Sequence, residues 1–156
     1  MEPIQEHLSF GTAEKYDTIN LSSYNSKSVK ILFTSLKGFS LIDDCNSLPV
    51  LFGILQLCHD YEISRPLIDI SERFKTCDRI TMENLIDIMK MVEAIEKMEV
   101  FFEMSDCLFQ RCVSYARWNF SSWQVILKVL MKNKEDAQLI FKILKNLRDQ
   151  SKATVR

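Results

Sequence analysis

The stretch from Asn46 to Phe74 most constrains what this chain can become. Leu48, Val50, Leu51, Ile54, Leu55, Leu57 and Cys58 recur at the spacing of one helix, and Leu67, Ile68, Ile70 and Phe74 at that of a second. Between them, Asp60-Tyr61-Glu62-Ile63-Ser64 carries the polar residues of a turn. Two adjacent amphipathic helices on a short connection predict a helical hairpin, which must bury its apolar sides against further helices.

The remainder of the chain agrees with a mainly α fold, an array of helical hairpins with one or two short strands at most. Only three glycines and three prolines occur in 156 residues, too few for the tight turns of a sandwich or barrel. Asp17-Thr18-Ile19-Asn20-Leu21 alternates with period two, a short strand signal, and Phe39-Ser40-Leu41-Ile42 gives a second. Between them Ser26 is the expected N-cap of a helix with Val29, Leu32, Phe33 and Leu36 on one face, closed by Gly38. Ser47 is placed to cap the next helix, and Pro49 is tolerated in its first turn.

Beyond the hairpin, Thr81-Met82-Glu83-Asn84 opens a helix with Leu85, Ile88, Met89, Val92 and Ile95 inward. The next helix carries Val100, Phe101, Met104, Leu108, Cys112 and Tyr115, with the break near Lys97 to Glu99. Trp118 to Ser122 reads as a turn, Trp123 to Met131 as a short helix with Ile126, Leu127 and Leu130 inward. A last helix from about Glu135 places Ala137, Ile140, Phe141, Leu144 and Leu147 on one stripe, with Lys142, Lys145 and Arg148 opposite. That basic face suits a solvated role, or an anionic lipid or acidic partner. Residues from Gln150 onward are expected to fray.

Chemistry-bearing motifs are sparse. Cys58 and His59 are neighbours, which on a helix point about 100° apart and do not converge on one ligand. Cys107 and Cys112 are five apart, and neither Cys-x-x-Cys nor His-x-x-x-His occurs, so no metal is expected. Neither a Gly-rich phosphate loop nor Gly-x-Ser-x-Gly is present, and no catalytic residues or cofactor are expected. Glu93, Glu96, Glu99 and Glu103 form a row that reads as a solvated face. Trp118, Phe120 and Trp123 cluster beside Arg117 in an apolar context, which reads as a core plug between hairpins in preference to a stacking platform for single-stranded nucleic acid. Most of the seven methionines read as core filler. A net charge of −1 supplies no field to attract nucleic acid or an anionic membrane. Neither a membrane-spanning run nor a signal-peptide pattern in Met1 to Ser9 is seen. Five cysteines, an odd number partly within apolar patterns, read as reduced packing thiols of a cytoplasmic or nuclear protein.

These residues resemble a known family. Asp17 to Leu21, a helix ending at Lys37-Gly38, and Asn46-Ser47-Leu48-Pro49-Val50-Leu51-Phe52-Gly53-Ile54-Leu55-Gln56-Leu57-Cys58-His59-Asp60-Tyr61-Glu62-Ile63 look like the second half of a BTB (POZ) domain. There a strand leads to a helix ending in a Tyr-Thr-Gly-like segment, and a helix reading Asn-Val-Leu-x-Leu-Leu-x-x-Ala-x-x-Leu-x-Ile follows. Thr81 to about Asn133 resembles the BACK region that often follows, on its Asn84-Leu85-Ile86-Asp87-Ile88 opening and Ala116-Arg117-Trp118-Asn119-Phe120 close. The resemblance implies a partial BTB-like region over 1–76, a BACK-like region over 77–150 and a frayed tail over 151–156.

BTB-BACK proteins commonly serve as substrate adaptors of cullin-type ubiquitin ligases. The resemblance thus implies a non-enzymatic interaction module whose partners are a cullin-family scaffold and a target protein. In that family an aromatic-x-Glu motif before the strand and the helical hairpin meet the cullin. Carried onto this chain, the candidate partner-binding residues are Leu8, Phe10, Glu14, Tyr61 and Glu62. Thr12 stands where the family has its aromatic anchor, and Phe10 is the candidate replacement. The family's N-terminal sheet and helices, which form its homodimer, have no counterpart before this hairpin, so the chain reads as a fragment, short isoform or degenerate member for which the usual BTB homodimer is not the expectation. The alternative reading is a scaffold or regulator without the cullin contact, competing with full-length relatives.

Overall fold

A computed structural model describes residues 20–38, 41–119 and 133–154. The chain divides into two compact units, Met1–Arg73 and Phe74–Arg156. Among the described residues the fold is mainly α, with six helices and no strand. Leu21 and Ile42, placed in strands by their alternation, are buried anchors of turns instead. Asp17 to Ile19 and Phe39-Ser40 lie outside the described residues.

The first unit is built on a close helix pair. Helix α1 (Ser26–Leu36) is capped by Asn25, one residue earlier than expected. The Asn25 Oδ1 accepts from the amides of Lys27 at 2.9 Å and Ser28 at 3.4 Å. Gly38, at φ +102, takes the chain out of the helix in a conformation that favours glycine. The inward face is Ser28, Val29, Ile31 and Leu32; Phe33 and Leu36, expected inside, are only half-buried.

Helix α2 (Leu48–Asp60) is buried along Leu48, Val50, Leu51, Gly53, Ile54, Leu55, Leu57 and Cys58, all expected inside except Gly53. Gly53 explains how closely α1 approaches. A Cβ there would fall on Ser28 Oγ and stand 3.0 Å from Ser28 Cβ. The buried Ser28 hydroxyl is itself satisfied, donating to the Val50 carbonyl at 2.7 Å. Helix α3 (Leu67–Thr76) buries Ile70 and Phe74, whereas Ile68 is 78% exposed, against the expectation that it faces the core. Within the first unit, Arg73 on α3 donates from Nε to the Cys45 carbonyl at 3.1 Å and from Nη2 to Asn46 Oδ1 at 2.9 Å, holding the loop that precedes α2.

Among its described residues the second unit is a three-helix bundle in which α4 (Leu85–Lys97), α5 (Phe102–Trp118) and α6 (Lys134–Thr154) all pack on one another. Thr81 and Asn84 prepare α4 reciprocally: the Thr81 amide donates to Asn84 Oδ1 at 2.7 Å and the Asn84 amide to Thr81 Oγ1 at 3.4 Å. Leu85, Ile88, Met89, Val92 and Ile95 are all buried, as their spacing predicts. From α5, Met104, Leu108, Cys112, Val113 and Ala116 face inward. Val100 is 71% exposed and lies in the turn before α5, outside the stripe assigned to it, and Tyr115 is half-buried.

Helix α6 contributes Leu139, Ile140 and Ile143. The expected stripe is rotated: Phe141 is 55% exposed, and Ala137, Leu144 and Leu147 are half-buried. The helix continues to Thr154, beyond the expected fraying point at Gln150. Gln150 holds it there, with Nε2 donating to Asn146 Oδ1 at 2.9 Å and Gln110 Oε1 at 3.3 Å. Trp118, expected within a core plug, is 85% exposed at the end of α5; Phe120, Trp123 and the short helix predicted there lie outside the described residues.

Candidate interaction surface

Helix α2 closes in a way that sets the hairpin turn. The Ile63 amide donates to the Cys58 carbonyl at 2.8 Å and the Glu62 amide to the His59 carbonyl at 3.4 Å. This is the double closure of a Schellman motif, which needs a left-handed residue between its two bonds. That residue is Glu62, at φ 55, where glycine is the usual occupant. Tyr61, the helix C-cap, is 39% exposed beside it. A left-handed residue at this point swings the chain away from the helix axis, so Tyr61 and Glu62 stand together at the tip.

Tyr24, in the turn before α1, fixes that tip. Its ring centre is 6.3 Å from that of Tyr61, with planes tilted by 53°. Its hydroxyl donates to Asp60 Oδ2, and His59 Nδ1 lies 3.2 Å from Asp60 Oδ1. Burial raises the Tyr24 phenol above its ordinary pKa, and the hydrogen bond to Asp60 and the charge of its carboxylate raise it further. The resulting knuckle offers one aromatic ring and carboxylates at Asp60 and Glu62, all on the surface of the first unit.

Of the candidate residues, Tyr61 and Glu62 are thus brought side by side, while Leu8, Phe10 and Glu14 lie outside the described residues. Tyr24 and Asp60 belong to the same knuckle; Asp60 was legible only as a turn residue, and the link between the two carried no sequence signal. Tyr24 sits in a polar turn, 36 residues from its partner, and only the packing of α1 on α2 brings them together.

The other chemically suggestive groups fall apart in space or turn inward. All five cysteines are outside disulfides; Cys45, Cys58, Cys77 and Cys112 are buried and Cys107 is half-buried. Burial pushes the thiols of Cys58 and Cys112 up to about 12, that of Cys112 against an opposing pull from Arg111. Among the described residues no group of three or more His, Cys, Asp or Glu side chains is placed to hold a metal ion, and no helix is long and apolar enough to cross a membrane. An open recess of about 630 Å³ in the second unit is lined by Thr76, Asp78, Arg79, Cys107, Gln110 and Ser114 among others. The guanidinium of Arg111, another lining residue, is engaged structurally. Its Nη1 donates to the carbonyls of Phe74 and Cys77, each at 2.9 Å, and its Nη2 to that of Asp78 at 2.5 Å. It satisfies the carbonyls left open where α3 ends.

No protein-family model, curated protein or solved structure matches this chain.

Proposed function

We propose that this chain is a non-enzymatic protein-interaction module of the adaptor type, presenting the α2–α3 turn to a cullin-family scaffold and bringing a target protein to it. The observation that carries this reading is the pairing of exposed Tyr61 with left-handed Glu62 at the hairpin tip. A glutamate in a conformation that costs about 1–2 kcal/mol relative to the right-handed helix is a reason to look for a role at that position. An aromatic ring held by a second ring, with carboxylates beside it, is the kind of pre-organised anchor that dominates protein interfaces. The position is also the one the BTB-BACK resemblance assigns to cullin contact.

Binding of the full chain to the N-terminal domain of the BTB-specific cullin tests the reading. The expected result is micromolar or tighter binding that Tyr61→Ala, Glu62→Arg and Glu14→Arg each reduce severely, with helical content unchanged. No binding by well-folded protein removes the ligase reading. What then remains is the second reading, a scaffold or competitor without the cullin contact, which the presence of Thr12 at the expected aromatic position favours.

A further inference from the structure

Helix α6 carries a second feature, independent of the hairpin and of the adaptor reading. Lys134, Gln138, Phe141, Lys145, Arg148 and Lys152 follow one another in steps of four, three, four, three and four, and all six are exposed. At about 100° per residue they fall within an arc of about 80° and run for roughly 27 Å along the helix. Four are cations, and the aromatic side chain at position 141 is 55% exposed in their midst.

Of the other charges of α6, Glu135 is exposed beside Lys134 where the line begins, and the rest are turned aside or lie at its rim. Lys142, grouped with Lys145 and Arg148 from sequence, is turned to the bundle, where its Nζ lies 3.1 Å from both carboxylate oxygens of Glu96 and 5.5 Å from the centre of the Phe109 ring. Asp136 is turned towards Lys90, 3.8 Å away. Asp149 lies on the rim, 3.9 Å from Arg148 Nε, with both side chains more than half exposed, a pairing too weak and too wet to neutralise the line. The chain as a whole is at −1, so these cations are concentrated on one helix face and not spread over a basic protein.

We infer that the outer face of α6 is a docking surface for an acidic helical segment of a partner protein, one with carboxylates at three- and four-residue spacing and an apolar residue near its middle to cover Phe141. The straight line with its three–four repeat matches the side-chain spacing of another helix. Four aligned cations supply charge complementarity at contact range, and the single aromatic supplies the anchor. The near-neutral whole gives little long-range attraction to an extended anionic surface, which favours a short acidic helix over a bilayer.

Two synthetic 21-residue helical peptides of identical composition test this. One has glutamates in a three–four line around a central leucine; the other has the same residues dispersed round the helix. Both are titrated against the full chain, with phosphatidylserine vesicles as a third arm. The expected result is binding of the aligned peptide at least about tenfold tighter than the dispersed one, weakened by salt, and lost by a similar factor in Lys145→Glu/Arg148→Glu. Phe141→Ala should weaken it by roughly three- to tenfold without loss of helical content. Equal affinity for the two peptides, binding indifferent to the variants, or binding to vesicles alone overturns the inference.

Discussion

Helices α2 and α6 solve the same problem in opposite ways. Helix α2 is enclosed nearly all round, down to a glycine that lets α1 come within van der Waals contact. Helix α6 buries a narrow face, Leu139, Ile140 and Ile143, and exposes a basic face that runs its length. An enclosed helix depends on fit: its neighbours are fixed by volume, and a single methyl group in the wrong place is felt. A one-sided helix depends on phase and on polar ties along its edges, here Lys142 to Glu96 and Gln150 to Gln110 and Asn146. The first unit should therefore be sensitive to added atoms, and the second to the loss of specific polar contacts.

Arg111→Ala gives the largest expected effect. It removes the hydrogen bonds to three carbonyls at the end of α3, and hydrogen bonds to a charged group contribute about 1.5–3 kcal/mol each without adding in full, so a total of about 3 kcal/mol is expected. Arg111→Lys should recover less than half, because an ammonium lacks the fork that reaches several carbonyls. Hydrogen exchange read segment by segment localises the loss. Deprotection confined to the end of α3 and to α4, α5 and α6 supports two separately sensitive units, whereas equal deprotection of α2 shows one cooperative body and breaks the comparison.

Gly53→Ala is the converse experiment. The added methyl collides with Ser28 in an enclosed site, and such overpacking typically costs about 1–3 kcal/mol. Ser28→Gly in the same chain should return part of that loss in denaturant unfolding, since it removes the atoms the methyl strikes. A purely local helix-propensity effect would make Gly53→Ala stabilising instead, and that outcome would show the α1–α2 contact to be looser than described.

Alkaline titration treats both units at once. The thiols of Cys58 in the first unit and Cys112 in the second stay protonated up to about 12, above the usual value of about 9. Between those values the unfolded chain loses these protons and the folded chain keeps them. Stability is therefore at its full level below about pH 9 and falls as pH rises towards 12. Cys58→Val and Cys112→Val should each flatten part of that decline. An unchanged slope in either variant shows that its thiol is not what the alkaline limb reports.

The difference between the two helices also explains what could be read from the sequence. On α2 every apolar residue assigned inward is buried, because a helix enclosed on most sides forgives an error in phase. The α4 stripe was equally legible, since its five apolar residues repeat without interruption. On α6 the choice between the line through Phe141 and the line through Leu139 and Ile143 turns on a rotation of the helix that neighbours decide. Ile68 failed for the same reason. The α2–α3 turn was visible in its polar residues, but the roles of Tyr24 and Asp60 in the knuckle were not, since a contact across 36 residues leaves no local pattern. Leu21 and Ile42 show the limit of alternation: a single buried anchor between polar neighbours looks like a strand over a few residues.

The smallest effect bears most on function. Helices α2, α3 and α4 are each followed by an acidic residue in the left-handed region: Glu62 at φ 55, Asp78 at φ 61 and Glu99 at φ 63. Each stands where glycine is favoured, and each sets a negative charge against the negative end of a helix dipole. Replacing Glu62 or Glu99 with glycine relieves both penalties while freeing the unfolded chain, so a net gain of about 0.5 kcal/mol is expected for each. The two should part company in binding. Glu62→Gly removes a carboxylate from the Tyr61 knuckle and, on the proposed adaptor reading, should weaken cullin binding while it raises the unfolding midpoint; Glu99→Gly should raise the midpoint and leave any such binding unchanged. A more stable protein that binds less well would mark Glu62 as retained for its contact at a cost in stability. If both variants bind as the parent does, the left-handed acids are a recurrent way of ending helices in this chain, and the knuckle must rest on Tyr61 and Asp60.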